Sequence, residues 1–284
     1  MENTTGSQSH VVLLASIGMG HLIPILELGK RLSTHHNFDV TIFVVASQSS
    51  AAESQVLQSA MTENLCEIVE LPPVNISGLV SSDAAVFTQI CAIMRAIKPA
   101  LRSAISGLSF RPAALIVDLF GSEAMMVVQG EYVDQKEPLK IPGCKAVRPE
   151  DVIYPMVDRT NQQYLEYVRM GMDIPKCDGI LLNIWEDLQP KTLEALRDEE
   201  LLELGVAVRP NILASEGVVG RTEIEMMIRT ITVDKEATHI RNRVKKLKYS
   251  AVKTLSEGGS SYNALSLVAK KLELQWKTME VNAS

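Results

Sequence analysis

Apolar and polar positions in the first half of the chain alternate between two patterns. Short continuous apolar runs predict four strands, at 10–16, 39–45, 66–71 and 113–117. The stretches between them predict helices, at 22–32, 47–62 and 84–108. Strands that alternate with helices are typical of βαβ units, in which helices cover both faces of a parallel sheet. We therefore predict an α/β domain built on a parallel sheet.

Beyond residue 128 the pattern is less regular. The stretch 129–155 is rich in Pro, Gly and charged residues and predicts a long loop. Later predicted strands are 179–183 and 206–208, and later predicted helices are 161–170, 189–202, 222–232, 239–255 and a last one from 260. The last helix follows a serine cap and carries one apolar stripe, made of Leu265, Val268, Leu272 and Trp276.

Composition narrows the classes of function. Hydrophobic residues make up 46% and charged residues 22% of the 284 positions, as in globular proteins. The net charge of −6 argues against a nucleic-acid-binding surface. No apolar run reaches the ~20 residues of a membrane helix, and the polar start does not have the pattern of a signal peptide. Because the four cysteines are scattered without metal-ligand spacing, we expect a cytoplasmic chain that holds no metal.

A turn made of Gly18, Met19 and Gly20 joins the first predicted strand to the first helix. Its spacing invites a dinucleotide-binding interpretation, but Ile23 stands where the third glycine is required. Asp39 also begins the second strand instead of ending it. What remains is a general property: a glycine turn at a helix N-terminus lets a ligand approach the backbone, and the N–H groups favour an anion.

His21 follows this turn at the carboxyl end of the first strand, and Asp118 follows the fourth strand. In a parallel sheet all such ends lie along one edge, so these side chains can meet across neighbouring strands. A carboxylate beside a histidine fixes the tautomer of the ring and stabilises the imidazolium, which makes a general-base dyad. Two simpler interpretations stay open: an exposed turn histidine, and an N-cap role for Asp118 before a helix at 122–128.

A basic stretch lies in the predicted helix at 239–255. Its five cations alternate with apolar residues: Arg241, Arg243, Lys245, Lys246 and Lys248. Such a pattern suits a helix on a membrane surface or a calmodulin target. It equally suits the solvated face of a helix that packs on a core.

Six segments together resemble plant family-1 UDP-glycosyltransferases, above all the hydroquinone and monolignol glucosyltransferases. They follow the order of those enzymes and cover nearly the whole chain: Gly18–Pro24, Val117–Gly121, Ile141–Cys144, Asn183–Leu188, Gly205–Pro210 and Glu257–Ser261. The resemblance implies a GT-B fold, in which two Rossmann-like domains face a cleft.

The resemblance also implies a reaction and a set of site residues. Glucose would pass from UDP-glucose to the hydroxyl of a small phenolic acceptor, with inversion and without a metal or other cofactor. His21 would be the base, Asp118 its supporting acid, and Phe120 would line the acceptor pocket. The turn at 18–20 is a further substrate-binding candidate, by the general property of glycine turns given above. The base is needed because a phenol is almost wholly protonated at neutral pH, whereas an unperturbed imidazole can accept a proton.

The chain departs from the family where the sugar donor should bind. The family's runs Trp-Ala-Pro-Gln and His-Cys-Gly-Trp-Asn-Ser are missing from this sequence. We infer one deletion near 128/129 and another at 202/203, so that 1–202 forms the acceptor-binding domain and 203–284 an incomplete remnant of the second. Three hypotheses follow: an impaired transferase, a catalytically silent acceptor-binding remnant, or a mis-spliced or mis-predicted gene product. Apolar faces that have lost their partners favour self-association.

Overall fold

The computed structural model describes residues 9–46, 51–120, 158, 160–173, 178, 180–185, 187–189, 221–232 and 235–281. These residues fall into two compact units. The first holds the described residues up to Leu181 and those from Ser266 onward, and the second runs from Leu182 to Leu265. Several predictions lie outside the described residues: the loop at 129–155, the helix at 189–202 after its first residue, the strand at 206–208, and both deletion points. The predicted domain boundary therefore stays a prediction.

A four-stranded parallel sheet forms the centre of the first unit. Its strands are β1 His10–Ala15, β2 Asp39–Val45, β3 Glu67–Leu71 and β4 Ala114–Val117. They lie in the order β3-β2-β1-β4, and the register pairs Val11 with Val40 on one side and with Ala114 on the other. The four predicted strands and their parallel arrangement are confirmed, with bounds that differ by at most one residue at an end.

Helices cover both faces of this sheet. They are α1 Met19–His36, α2 Ala51–Glu63, α3 Val86–Ala96, α4 Lys98–Ser106 and α5 Gln162–Asp173. α1 packs on β1 and β2 through Leu22, Ile25, Leu26 and Leu32. On the other face, α3, α4 and the residue that joins them contribute to a core with Val12, Leu14 and Phe43; these helix-side residues are Cys91, Met94, Ile97 and Leu101. β1 is at most 1% exposed from Val11 to Ala15, which explains its unbroken apolar run.

Two helix predictions need correction. The predicted helix at 84–108 is two helices, because Pro99 has no N–H to donate and its ring crowds the preceding turn. α1 begins at Met19 rather than at residue 22, so Pro24 lies inside the helix and not in its first turn. The earlier start follows from Gly18, whose carbonyl accepts from the N–H groups of His21 and Leu22 at 3.0 Å each.

The predicted strand at 179–183 is wrong for the residues described. Residues 180–183 form no strand, and Ile180, Leu181 and Leu182 are 50%, 44% and 47% exposed. An apolar run becomes a strand only when a neighbouring strand satisfies its backbone groups. Among the described residues, none of the four strands pairs with this segment.

The remaining helices are α6 Arg221–Thr232, α7 Lys235–Leu255 and α8 Ser260–Val281. They confirm the helices predicted at 222–232, 239–255 and from 260, although α7 begins four residues earlier. Of the predicted apolar stripe of α8, Leu272 is buried, and Leu265, Val268 and Trp276 are partly buried. Tyr249 of α7 is exposed, and so are the five cations of the basic stretch: Arg241, Arg243, Lys245, Lys246 and Lys248. No helix within the described ranges is both long enough and apolar enough to cross a membrane.

Candidate active site

The carboxyl ends of β1 and β4 bring the predicted site residues to one edge of the sheet. The parallel register sets Leu14 beside Val117, so Ser16 and Asp118 both lie just beyond the paired strands. Gly18 then turns the chain with φ of 107°, a backbone conformation that other residues rarely adopt. This turn places His21 in the first turn of α1, directly above the end of its own strand.

The structure brings His21 and Asp118 together. Nδ1 of His21 lies 3.1 Å from Oδ2 of Asp118, and the two side chains are 27% and 11% exposed. An ionised carboxylate can only accept hydrogen bonds, so Nδ1 is the donor in this contact, and in a neutral ring Nε2 then keeps the lone pair. The contact is therefore that of a histidine oriented as a base, while its catalytic role stays a prediction. The N-cap alternative for Asp118 concerns a segment outside the described residues.

Ser16 is a site residue that the sequence reasoning missed. Its backbone N–H donates to Oδ2 of Asp118 at 3.0 Å, and its hydroxyl donates to Oδ1. Ser16 is only 3% exposed. The available signal was its place as the polar residue that directly follows a buried apolar strand.

The ring of Phe120 packs against His21. Their centroids are 4.9 Å apart in an edge-to-face arrangement, and Phe87 lies 5.1 Å from Phe120 on the other side. Tyr167 stacks on Phe87 at 4.1 Å, so a continuous series of aromatic rings runs from His21 to α5. Phe120 is only 7% exposed, and it supports the histidine ring more than it offers a free surface. Its predicted role in substrate binding stays a prediction.

An ion pair between α3 and a buried glutamate of α5 lies beside these rings. The carboxylate of Glu166, which is 5% exposed, binds Arg95 of α3 and Arg169 of its own helix. Burial also raises the pKa of the neighbouring Tyr167 hydroxyl. No local pattern predicts this pairing, because Arg95 and Glu166 lie on different helices far apart in the chain.

The glycine turn borders a small cavity of about 50 Å³. The ends of β1 and β2 line it, together with Gly18, Glu53 and Glu70. A Cβ added at Gly20 would meet no atom within 4 Å, so the space next to Gly20 is open. Among the residues described, no group of three or more His, Cys, Asp or Glu side chains could hold a metal ion.

Comparison with known proteins identifies the family. No protein-family profile matches the sequence. Anthocyanidin 3-O-glucosyltransferase 5 of Manihot esculenta is 34% identical over 478 residues, which cover 98% of each chain. UDP-glycosyltransferase 72D1 of Arabidopsis thaliana is 44% identical over 69% of this chain and 48% of its own length. Hydroquinone glucosyltransferase of Rauvolfia serpentina is 31% identical over 67% of this chain and 47% of its own length.

Solved structures agree on the fold. The crystal structure of TcCGT1 in complex with UDP has a TM-score of 0.82 and 28% identity, over 95% of this chain and 100% of that chain. Phytolacca americana UGT2, solved with UDP-2fluoro-glucose and pterostilbene, has a TM-score of 0.80 at 18% identity, which supports the fold alone. The fold is thus the α/β GT-B fold of glycosyltransferases. The chain belongs to the plant UDP-glycosyltransferases.

This chain is nonetheless much shorter than its relatives. It spans about half the length of the Arabidopsis and Rauvolfia proteins. The alignment with the Manihot protein has 478 positions against 284 residues here, and 478 − 284 leaves at least 194 positions without a residue in this chain. The inference that internal segments are missing relative to full-length members is therefore confirmed, while their exact places stay a prediction.

Proposed function

We propose that His21 and Asp118 are the general-base dyad of a transferase that moves glucose from UDP-glucose to the hydroxyl of a small phenolic acceptor. The observation that carries the proposal is the 3.1 Å contact between Nδ1 and Oδ2 at the carboxyl edge of the sheet. Parallel α/β sheets bind their ligands at this edge. The names of the relatives, an anthocyanidin and a hydroquinone glucosyltransferase, support acceptors of the phenolic class.

The proposed reaction is a single displacement. Nε2 of His21 removes the proton from the acceptor hydroxyl as that oxygen attacks the anomeric carbon of glucose. The bond from this carbon to the phosphate oxygen breaks, and UDP leaves with the electron pair, so the configuration inverts. Asp118 stabilises the imidazolium that forms, and the proton then passes to solvent.

A transferase also needs contacts that hold the sugar donor. The sequence contains neither of the runs that grip UDP-sugar in the family, and at least 194 aligned positions are without a residue here. Holding both reactants in place supplies ~7–11 kcal/mol of the barrier reduction in favourable cases, and this term fails without donor contacts. The second candidate function is therefore an acceptor-binding remnant that does not transfer sugar. A mis-spliced or mis-predicted gene product is the third, and a transcript read across 128/129 and 202/203 tests it.

Self-association is proposed as a further property of the chain. Large apolar side chains are exposed along α6 and α7, among them Ile224, Met226, Ile228, Val244 and Val252. Exposed apolar patches of this kind drive association when they are contiguous. Light scattering over a concentration series tests the point, since a monomer at every concentration would contradict it. A cytoplasmic location likewise stays a proposal.

Two measurements separate the first two candidates. Calorimetry with UDP tests donor binding, and mass spectrometry tests for a phenolic glucoside after incubation with UDP-glucose and hydroquinone. A transferase gives a glucoside that His21→Ala reduces by ~10²–10⁴-fold. His35→Ala is the matched control, because His35 is an exposed histidine at the far end of the same helix. An acceptor-binding remnant gives neither UDP binding nor product, and unchanged turnover in His21→Ala would remove the dyad from the mechanism.

A further inference from the structure

One residue, Ser16, donates hydrogen bonds to both carboxylate oxygens of Asp118. Ser16 donates its backbone N–H to Oδ2 at 3.0 Å and its hydroxyl to Oδ1. Oδ2 also receives Nδ1 of His21 at 3.1 Å. Two donors from a single strand end thus fix the plane of the carboxylate, and this plane decides whether Oδ2 points at the imidazole.

Both donors of Ser16 are held in place by the buried strand β1. Ser16 is 3% exposed and directly follows β1, whose register with β4 sets the separation between the two chains. The backbone N–H of Asp118 itself bonds the carbonyl of Leu14 at 3.4 Å, so the same strand pair holds both residues. The hydroxyl must be the donor in this contact, because an ionised carboxylate only accepts.

Removing the hydroxyl would take away the Ser16 donor at Oδ1, while the bond from the backbone N–H to Oδ2 remains. With fewer donors fixing its plane, the carboxylate of Asp118 is expected to rotate. Such a rotation carries Oδ2 away from Nδ1 and frees the imidazole to exchange its proton between the two ring nitrogens. The backbone N–H of Ser16 cannot prevent this, because it holds only one of the two oxygens.

We infer that Ser16 is a positioning residue: its hydroxyl orients Asp118, and Asp118 in turn holds His21 as the tautomer with a free Nε2. The inference rests on the proposed function for its catalytic meaning. Its physical content, the orientation of the carboxylate and the tautomer of the ring, is open to measurement without any sugar transfer.

Nitrogen-15 NMR of the full chain at about pH 8, where an unperturbed imidazole is neutral, reads the tautomer directly. In the wild type we expect His21 to show one protonated nitrogen, Nδ1, and one unprotonated nitrogen, Nε2. Ser16→Ala is expected to move the two resonances towards their common average. Ser16→Thr keeps a hydroxyl and is expected to restore the wild-type pair of resonances.

Thr41→Val is the matched control for a lost buried hydroxyl. Thr41 is fully buried in the neighbouring strand, and its hydroxyl bonds Glu67 and His10 away from the site. This variant should leave the His21 resonances unchanged. Wild-type resonances in Ser16→Ala would overturn the inference, and so would averaged resonances in both Ser16→Ala and Ser16→Thr.

The result separates this inference from the proposed function. A chain that transfers no glucose but loses the fixed tautomer in Ser16→Ala retains the positioning role and loses only the catalytic one. If transfer is detected, Ser16→Ala should lower kcat and leave the KM for the phenol nearly unchanged, because Ser16 acts through Asp118. A higher KM with unchanged kcat would instead make Ser16 a substrate contact and overturn the inference.

Discussion

The packing of α1 against the sheet fixes the position of His21. Gly29 of α1 allows the helix to approach the sheet closely. A Cβ at this position would lie 2.8 Å from Cδ1 of Ile42, 3.2 Å from Sγ of Cys66 and 3.4 Å from Cγ1 of Val40. Ile42 is fully buried, so its side chain has little room to move. Gly29→Ala is therefore expected to destabilise the first unit.

Two opposing terms set the size of this effect. Overpacking a core costs ~1–3 kcal/mol. Alanine in place of glycine inside a helix recovers ~1 kcal/mol. We expect a net loss of ~0–2 kcal/mol in the free energy of unfolding for Gly29→Ala.

The double variant Gly29→Ala with Ile42→Val isolates the contact. Ile42→Val removes the Cδ1 atom that the new methyl group would strike, and alone it costs ~0.5–1.5 kcal/mol. In the double variant the new methyl fills the space left by Cδ1. The pair should therefore be more stable than the sum of the single effects by ~1 kcal/mol, within the range measured for neighbouring residues.

Urea unfolding followed by circular dichroism at low protein concentration measures these differences. Gly20→Ala is the control, because it lies in the same helix and its Cβ would meet nothing within 4 Å. It should not destabilise the fold. Strict additivity of Gly29→Ala and Ile42→Val would refute the packing of α1 described above.

Three further predictions concern buried or partly buried polar groups. Burial lowers the pKa of His10, so the unfolded chain binds its proton more readily and stability falls as the pH drops below about 6.5. In unfolding curves recorded at several pH values, His10→Gln should flatten this loss of stability. An unchanged pH profile would contradict the prediction. Burial raises the pKa of the Cys66 thiol to about 11. Iodoacetamide at about pH 8 should therefore label Cys66 more slowly than it labels free cysteine. Equal labelling rates would contradict this prediction. Glu166→Gln should lower the free energy of unfolding by ~1–2 kcal/mol, because its charge-assisted bonds to Arg95 and Arg169 weaken. A variant as stable as the wild type would show that these ion pairs contribute nothing.

The sheet and the meeting of His21 with Asp118 could be predicted because both depend on general rules. Buried parallel strands have unbroken apolar runs, and their carboxyl ends meet at one edge. The contacts of Ser16 with Asp118 could not be predicted in the same way. It depends on which donor reaches each oxygen of a single carboxylate, and this geometry follows from the register of β1 with β4.

Other features depend on partners that a local pattern does not reveal. The apolar run from Ile180 to Leu182 has the composition of a strand, but among the described residues no strand pairs with it. The stacking of Tyr167 on Phe87 joins two helices that are far apart in the sequence. In contrast, the break before α4 was open to prediction from Pro99 alone.

The most direct test of the account is whether a phenol places its hydroxyl on Nε2 of His21. Hydroquinone is titrated into the full chain while the nitrogen-15 resonances of the histidines are recorded, with no UDP-glucose present. We predict a saturable shift at Nε2 of His21 and none at His35, with the shift reduced in Asp118→Asn. A resonance of His21 that does not move at saturating hydroquinone would contradict the central claim that this edge of the sheet is an acceptor site.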